Sequence, residues 1–404
     1  MDYSSFKGEQ RVHVDDLLKE RIKKGKYIVG PAGSGKTEII CYCAEELAAR
    51  GKKVLIAFFN MSLTRYCTVK SPHVTCSHYH QVPAIRKGLG WSWDKDFKDP
   101  AGVSLAECYL KPEYDYIFVD EAQDYKPNWF KNLYGLLKPE GIFVVSADPY
   151  QSLYGRHLVP DNNPDYPNFL VPSLTGLGLG FNGRWAHLNR IYRSNSLIQE
   201  MAGEFAKKHL KDTYGSHDFI FGKEREESEI HLVEDLSGGL GDKAVNLVRW
   251  LMRSGKDLNR TVIITHTEKS VATIYRCLKE EGFIYDDRRE AKNATHCYDN
   301  YDFSKNRECK ANFDITVPGV KVATIHSFKG LDIDNVILLF SEGEQKRVTD
   351  ETLYTALTRA KKNLYIINPG DVSSDLRRKL YDIYGDFEEK PEVVTNPTDF
   401  RKFF

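Results

Sequence analysis

The chain has 404 residues, 41% hydrophobic and 28% charged, and its 57 basic side chains balance 57 acidic ones. This length favours two domains of about 200 residues each, and the zero net charge means that a polyanion would have to be held by a local basic groove. No apolar run approaches the roughly 18 residues of a membrane span, the N-terminus lacks a signal-peptide core, and the eight cysteines have no paired metal spacing. We therefore expect a cytoplasmic protein with reduced thiols and no membrane partner.

The first motif along the chain is GPAGSGKT, which follows the apolar run YIV and precedes a helical pattern. It fulfils the phosphate-loop pattern G-x-x-x-x-G-K-[ST], in which backbone N–H groups and a helix dipole point at an anion. Lys36 is expected to reach the outer phosphates and Thr37 to ligate Mg²⁺, whereas a flexible turn is the alternative. The predicted nucleotide-binding residues of the loop are Gly30, Gly33, Ser34, Gly35, Lys36 and Thr37.

The second motif is DEAQD, which ends the apolar strand pattern YDYIFV. A carboxylate at the C-terminal end of a parallel strand faces the same crevice as the phosphate loop. Asp120 is therefore predicted to complete the Mg²⁺ site, and Glu121 to activate the attacking water. Taken alone, the same residues also fit a solvated acidic turn.

A third strand pattern, GIFVVSADPYQ, ends with Asp148 and Gln151. The amide of Gln151 is a candidate sensor of the γ-phosphate, although an isolated glutamine at this place is more often a turn residue. The second half has its own alternation of strands and helices, from TVIITH to NLYII, which predicts a second parallel sheet.

These stretches, in this order, resemble the motifs of UvrD/Rep-like superfamily 1 helicases. Four further stretches extend the resemblance: FKGEQ with Gln10, NRIYRSN with Tyr192 and Arg193, VATIHSFKGLD, and LYTALTRAKKNLYI with Arg359. The family resemblance implies an α/β fold of two RecA-like parallel sheets with ATP and Mg²⁺ between them. The expected limits are 1–185 for the first domain, 186–370 for the second, and 371–404 for a C-terminal helix and tail.

The resemblance also implies roles on the nucleotide. Tyr192 would stack on adenine while Gln10 hydrogen-bonds its edge. Gly330 and Asp332 would also bind the nucleotide, with Asp332 towards the ribose. Arg193 and Arg359 would reach the γ-phosphate from the second domain, where an arginine is worth about 10³–10⁵ in rate. For an isolated arginine, a surface ion pair is the alternative.

The family moves on single-stranded nucleic acid, so the resemblance implies an ATP-dependent helicase or translocase, with DNA favoured over RNA and a 3′-to-5′ direction. Stacking and phosphate contacts are the expected mode of binding. The candidates are Phe59, Asn60, Arg65, His78, Tyr79, His326, Ser327 and Lys329. For His78 and Tyr79, a place in the core is nearly as good an interpretation.

The chain departs from the family by lacking the two large inserts that help to hold duplex. This leaves open an alternative function, a nucleotide-gated ATPase switch in a larger defence or repair complex.

The segment Arg86–Lys98 interleaves basic and aromatic residues. We expect Trp91 and Trp93 to pack on the first sheet, with a contact to nucleic acid or to a partner protein as the alternative; the C-terminal tail is the other candidate for a protein contact.

Overall fold

The computed structural model describes the following residues: 2–22, 24–154, 184–192, 197–210, 228–233, 238–284, 291–298, 303–341, 343–367, 375–384 and 392–394. The chain divides into two compact units, Met1–Arg193 with Leu210–Gly222, and Ser194–His209 with Lys223–Phe404. The domain limits given above stay a prediction. No helix within the described residues is both long and apolar enough to span a bilayer.

The first unit is built on a parallel sheet with the strand order β3-β2-β4-β5-β1-β6. Its strands are β1 (Gly25–Val29), β2 (Val54–Phe58), β3 (Thr75–His78), β4 (Tyr114–Val119), β5 (Leu137–Ala147) and β6 (Arg184–His187). Every residue of β1 and β2 is buried, as expected for strands of a sheet that is covered on both faces. Because β5 pairs in parallel with both β4 and β1, the loops after these three strands meet at one edge of the sheet.

The helices described in this unit are α1 (Glu9–Leu18), α2 (Lys36–Ala49), α3 (Met61–Lys70), α4 (Pro83–Leu89), α5 (Trp93–Lys98) and α6 (Pro127–Tyr134). Helix α2 directly follows the glycine-rich loop and buries Ile39, Ile40, Cys43 and Leu47, the apolar face predicted from the sequence. The helix ends at Ala49, just before a glycine in the left-handed region.

Among the described residues of the unit, Trp129 on α6 is the largest fully buried side chain, and it packs with aromatic and aliphatic residues of the sheet. Its ring stacks on Tyr79 with a centroid distance of 4.6 Å. Replacing such a residue with alanine costs about 3–5 kcal/mol of stability. This core therefore fixes the chain beyond β3, which carries several candidate site residues.

The second unit has a parallel sheet with the strand order β12-β7-β11-β10-β8-β9. Its strands are β7 (Glu229–Val233), β8 (Thr261–Thr265), β9 (Lys321–Thr324), β10 (Ile333–Leu339), β11 (Ala360–Ile367) and β12 (Glu392–Val394). The described helices are α7 (Leu197–His209), α8 (Leu240–Arg253), α9 (Glu268–Glu280), α10 (Phe303–Asn312), α11 (Ile325–Phe328), α12 (Asp350–Leu357) and α13 (Asp375–Tyr384). The predicted fold class, α/β with two RecA-like parallel sheets, is confirmed.

Candidate active site and nucleic-acid surfaces

The glycine-rich loop has a backbone that favours glycine at two positions. Gly33 and Gly35 have φ angles of 80° and 89°. A Cβ at Gly30 would lie 2.6 Å from the carbonyl oxygen of Leu188, which no side chain can do without displacing the backbone. No side chain caps α2 at Gly35, which leaves the first N–H groups of this helix for an anion.

The polar side chains of the loop fit a triphosphate. Ser34 is fully buried, and its Oγ has no hydrogen-bond partner among the described residues. Lys36 is 7% exposed, and its Nζ donates to the carbonyl oxygens of Gly30 at 2.8 Å and Pro31 at 3.0 Å. Phosphate oxygens would accept hydrogen bonds from both the hydroxyl and the ammonium group, so the loop suits a nucleoside triphosphate.

Thr37 and Asp120 are 83 positions apart, yet Thr37 Oγ1 donates to Asp120 Oδ2 across 2.7 Å. The other carboxylate oxygen accepts from the N–H of Glu121 at 3.0 Å and from the hydroxyl of Ser146. Burial raises the pKa of Asp120 and the charge of Glu121 raises it further, whereas the hydrogen bonds from Ser146 and Thr37 lower it. A divalent cation would compensate this buried charge, so the two residues suit Mg²⁺.

Glu121 begins a chain of hydrogen bonds that runs to Gln151. Its φ of 54° lies in the left-handed region, which is uncommon outside glycine and clusters at functional sites. Gln123 is fully buried; it donates to Glu121 Oε2 at 2.6 Å and accepts from the N–H of Asp148 at 3.1 Å. Asp148 Oδ2 in turn accepts from Gln151 Nε2 at 2.7 Å. The loops after β4 and β5 are thus joined by side chains.

Sequence reasoning assigned no role to Gln123 or Ser146, although both contact the acidic pair after β4. A signal was present for each residue. Ser146 is a polar residue near the end of the apolar run FVV, and Gln123 lies within the DEAQ string. Polar side chains in such buried positions need partners, and the nearest ones are other loop residues at the same sheet edge.

Gln10 and Tyr192 both lie against the phosphate loop. Gln10 is 6% exposed, and its Nε2 donates to the carbonyl oxygen of Ser34 at 3.0 Å. The backbone N–H of Tyr192 donates to the carbonyl oxygen of Gly33 at 2.9 Å. Their contacts with adenine stay a prediction, and Arg193 lies outside the described residues.

Arg359 is 2% exposed and is held within the second unit. Its guanidinium group donates to the carbonyl oxygens of Thr355 at 2.9 Å and Leu331 at 3.2 Å, and to the hydroxyl of Thr358 at 2.9 Å. These bonds fix the guanidinium beside the turn that follows α11. Its contact with a γ-phosphate stays a prediction.

Gly330 and Asp332, both expected at the nucleotide, lie in that same turn. Gly330 has a φ of 82°, which explains a glycine at this position. Asp332 forms an ion pair with Lys361, with 2.6 Å between Oδ1 and Nζ. Its contact with a nucleotide also stays a prediction.

One nucleic-acid candidate of the first unit is wrong. Tyr79 is fully buried, its ring stacks on Trp129, and its hydroxyl accepts from Asn132 Nδ2 at 2.9 Å. A side chain that is enclosed in this way cannot stack on a base, so Tyr79 is a core residue.

The other candidates of this unit lie at or near the same sheet edge. Phe59 is half-buried and packs edge-on against Tyr154, which is 38% exposed. Asn60 caps α3 by accepting from the N–H of Ser62 at 2.8 Å. Arg65 is half-buried, and His78 retains 9% of its surface. Binding by these residues stays a prediction.

In the second unit the three candidates follow β9. His326 is half-buried beside His266, with 5.8 Å between the ring centroids, and burial lowers its pKa to about 4. Ser327 is 9% exposed, and its N–H donates to Thr324 Oγ1 at 3.1 Å. Lys329 is only 2% exposed, so in this conformation it presents little surface to a phosphate.

The packing expected for the tryptophans of the segment Arg86–Lys98 is wrong for Trp91, because this residue is 98% exposed. The side chain of Trp93 lies outside the described residues. Helices α4 and α5 flank Trp91 and contribute buried residues to the unit. The apolar pattern of the segment alone does not distinguish these buried residues from the exposed Trp91.

The phosphate loop and the two parallel sheets define a P-loop α/β protein. Residues 319–367 match the model of the UvrD-like helicase C-terminal domain, and this interval includes β9 to β11 with His326 and Arg359. The resemblance to UvrD-like helicases is thereby confirmed.

Other similarities are short or distant. The uncharacterized protein MJ1519 of Methanocaldococcus jannaschii is 43% identical over 60 residues, which are 15% of this chain and 5% of that protein. The structures of the PRRSV helicase and of arterivirus nonstructural protein 10, also a helicase, align with 90% of this chain at TM-scores of 0.39, with 13% and 16% identity. This chain spans 55% and 64% of the length of those two chains.

Proposed function

We propose that the chain is an ATPase stimulated by single-stranded DNA, which moves along it in the 3′-to-5′ direction as a helicase or translocase. The observation that carries this proposal is the 2.7 Å contact between Thr37 Oγ1 and Asp120 Oδ2 beside the phosphate loop. A hydroxyl and a carboxylate at this place are what a P-loop enzyme needs to hold Mg²⁺ on a triphosphate.

The residues of the first unit divide the work of hydrolysis. Lys36 and the N–H groups at the start of α2 bind the phosphates, and Thr37 with Asp120 holds Mg²⁺. Glu121 accepts a proton from the attacking water, and Gln151 responds to the γ-phosphate through its amide. The bound Mg²⁺ supplies the positive charge that neutralises the phosphates.

Arg193 and Arg359 are proposed to stabilise the charge of the transition state, as arginine fingers do. Gln10 and Tyr192 are proposed to select adenine, and Gly330 and Asp332 to bind the nucleotide, with Asp332 towards the ribose. The domain limits 1–185 and 186–370 belong to the same proposal.

The nucleic-acid surface is proposed to include Phe59, Asn60, Arg65 and His78 in the first domain. In the second domain it includes His326, Ser327 and Lys329. Stacking on aromatic side chains and contacts to phosphates tolerate any sequence, which suits a protein that moves along a strand. DNA is favoured over RNA by the UvrD resemblance.

The test is the ATPase rate of the full chain with single- and double-stranded DNA and RNA. We expect strong stimulation by single-stranded DNA, and loss of turnover in Lys36→Ala and Glu121→Ala. Full activity of Lys36→Ala would contradict the proposal. Stimulation by a partner protein but not by nucleic acid would instead support the nucleotide-gated switch. Substrates with a 3′ or a 5′ tail test the direction.

A further inference from the structure

Trp91 is an indole side chain that the protein leaves in water. It is 98% exposed, whereas Trp129 of the same unit is fully buried. Covering a large apolar ring with another flat apolar surface removes both from water, which lowers the free energy. Trp91 therefore has both faces of its ring available for a ligand.

The exposure of Trp91 does not come from a loosely held segment, because hydrogen bonds hold the helix that follows it, α5, against the core. Lys126 is 3% exposed, and its Nζ donates to the carbonyl oxygens of Asp96, Phe97 and Asp99, at 2.6, 2.7 and 2.6 Å. These three bonds use all three hydrogens of the ammonium group. They hold the C-terminal end of α5 against the core.

Asp96, a residue of α5 itself, also anchors this helix through its side chain. Its fully buried carboxylate accepts from the backbone N–H of Val103 at 2.6 Å and from Trp129 Nε1 at 3.1 Å, and lies 2.7 Å from His80 Nε2. On the other side of Trp91, α4 buries its last residue, Leu89. Because both flanking helices are anchored, the backbone that carries the ring loses little entropy on binding.

The segment around Trp91 has more exposed cationic side chains than exposed acidic ones to pair with them. Asp94 pairs with Lys98 at 2.6 Å, and Asp96 is buried as described above. The remaining charged side chains of the segment are exposed and form no ion pair or hydrogen bond with any described residue; they are Arg86, Lys87 and Lys95. An exposed aromatic ring beside three unpaired cations matches a polyanion with flat bases.

We propose that the segment Arg86–Lys98 is a docking surface for single-stranded nucleic acid, with Trp91 stacked on a base and Arg86, Lys87 and Lys95 on phosphates. The surface rests on the proposed function for its ligand, and it adds a contact point outside the helicase-like motifs. Lysine is depleted in the cores of protein–protein interfaces, so the same charges disfavour a protein partner.

The experiment measures binding of the full chain, without nucleotide, to an oligothymidylate and to an abasic strand of the same length, which keeps the phosphates but lacks bases. We expect the oligothymidylate to quench tryptophan fluorescence, and the abasic strand to leave it unchanged. Trp91→Ala should weaken oligothymidylate binding by roughly 5- to 150-fold and leave abasic binding unchanged. In Trp91→Phe the quenching should disappear while most of the affinity remains.

Two further variants test the charges and the specificity of the effect. The double variant Lys87→Gln/Lys95→Gln should reduce the slope of log K against log salt by about 1.4, as two lost phosphate contacts predict. Val69→Ala removes another exposed apolar side chain of the first unit, 76% exposed, and should bind as the parent does.

The outcomes separate this inference from the proposed function. If single-stranded DNA stimulates the ATPase but Trp91→Ala binds oligothymidylate as tightly as the parent, the docking surface is wrong and the function stands. Equal quenching by the abasic strand would also overturn the stacking. If the parent neither binds nor responds to any nucleic acid, both proposals fail together.

Discussion

Gln123 links Glu121 to Asp148, with 2.6 Å from its Nε2 to Glu121 Oε2 and 3.1 Å from the N–H of Asp148 to its Oε1. Glu121 is the proposed base, and Gln123 is the fully buried side chain that orients it. Gln123→Leu should therefore lower kcat by about 10- to 100-fold, the usual effect of losing an orienting partner. ATP affinity, measured by titration calorimetry, should stay within about twofold because the phosphate contacts remain.

The matched control is Gln199→Leu, which removes a buried glutamine from α7 of the second unit. It should leave kcat unchanged. A parallel loss of kcat and ATP affinity in Gln123→Leu would show that the residue supports the phosphate loop as a whole and does not orient Glu121.

Asp120→Asn should stabilise the nucleotide-free protein while it abolishes function. Burial and the nearby charge of Glu121 raise the pKa of Asp120, which means that its ionised form is disfavoured in the fold. Removing that charge is expected to increase the free energy of unfolding, and each kcal/mol of increase raises the melting temperature by roughly 2–4 °C. Scanning calorimetry with and without ATP and Mg²⁺ checks this; a variant that melts lower without ligand would contradict it.

Arg359→Ala should affect both catalysis and folding. The proposed finger role predicts a loss of about 10³-fold or more in kcat with little change in ATP affinity. The structure adds a second effect, because the carbonyl oxygens of Leu331 and Thr355 lose a buried donor, at a cost of about 1–3 kcal/mol. Urea unfolding measures the second effect, and single-turnover kinetics the first. Equal losses of ATP binding and kcat would argue against the finger.

His326 should make the free energy of unfolding depend on pH. Burial, His266 and two lysines, Lys329 and Lys310, lower its pKa to about 4, below the ordinary 6.5. The unfolded chain therefore binds more protons than the folded one between these values, so stability is greatest above pH 6.5 and falls as the pH drops towards 4. The loss is at most about 3 kcal/mol.

The measurement is urea unfolding at pH 7 and at pH 5. His326→Gln should flatten the difference, whereas His73→Gln, on an exposed histidine of the first unit, should keep it. An unchanged difference in His326→Gln would assign the pH dependence to another group, with His266, whose pKa burial also lowers, as the next candidate.

The sequence predicted the fold well because each motif occurs at a boundary between strand and helix. The loop Gly30–Thr37 lies between β1 and α2, and Asp120 directly follows β4, as the apolar runs required. Side-chain partners across the sheet edge were harder to predict, because the contact of Ser146 with Asp120 depends on which strands are neighbours. Likewise, periodicity could not distinguish buried Tyr79 from exposed Trp91, since both are aromatic residues in short irregular segments.

The hydrogen bond from the N–H of Tyr192 to the carbonyl oxygen of Gly33 has a mechanical consequence. Two residues after Tyr192, at Ser194, the chain passes into the second unit. A phosphate that displaces the Gly33 carbonyl would therefore act on the backbone at Tyr192, next to this boundary. Occupancy of the phosphate loop would thus be reported by a single backbone hydrogen bond at the end of the first unit.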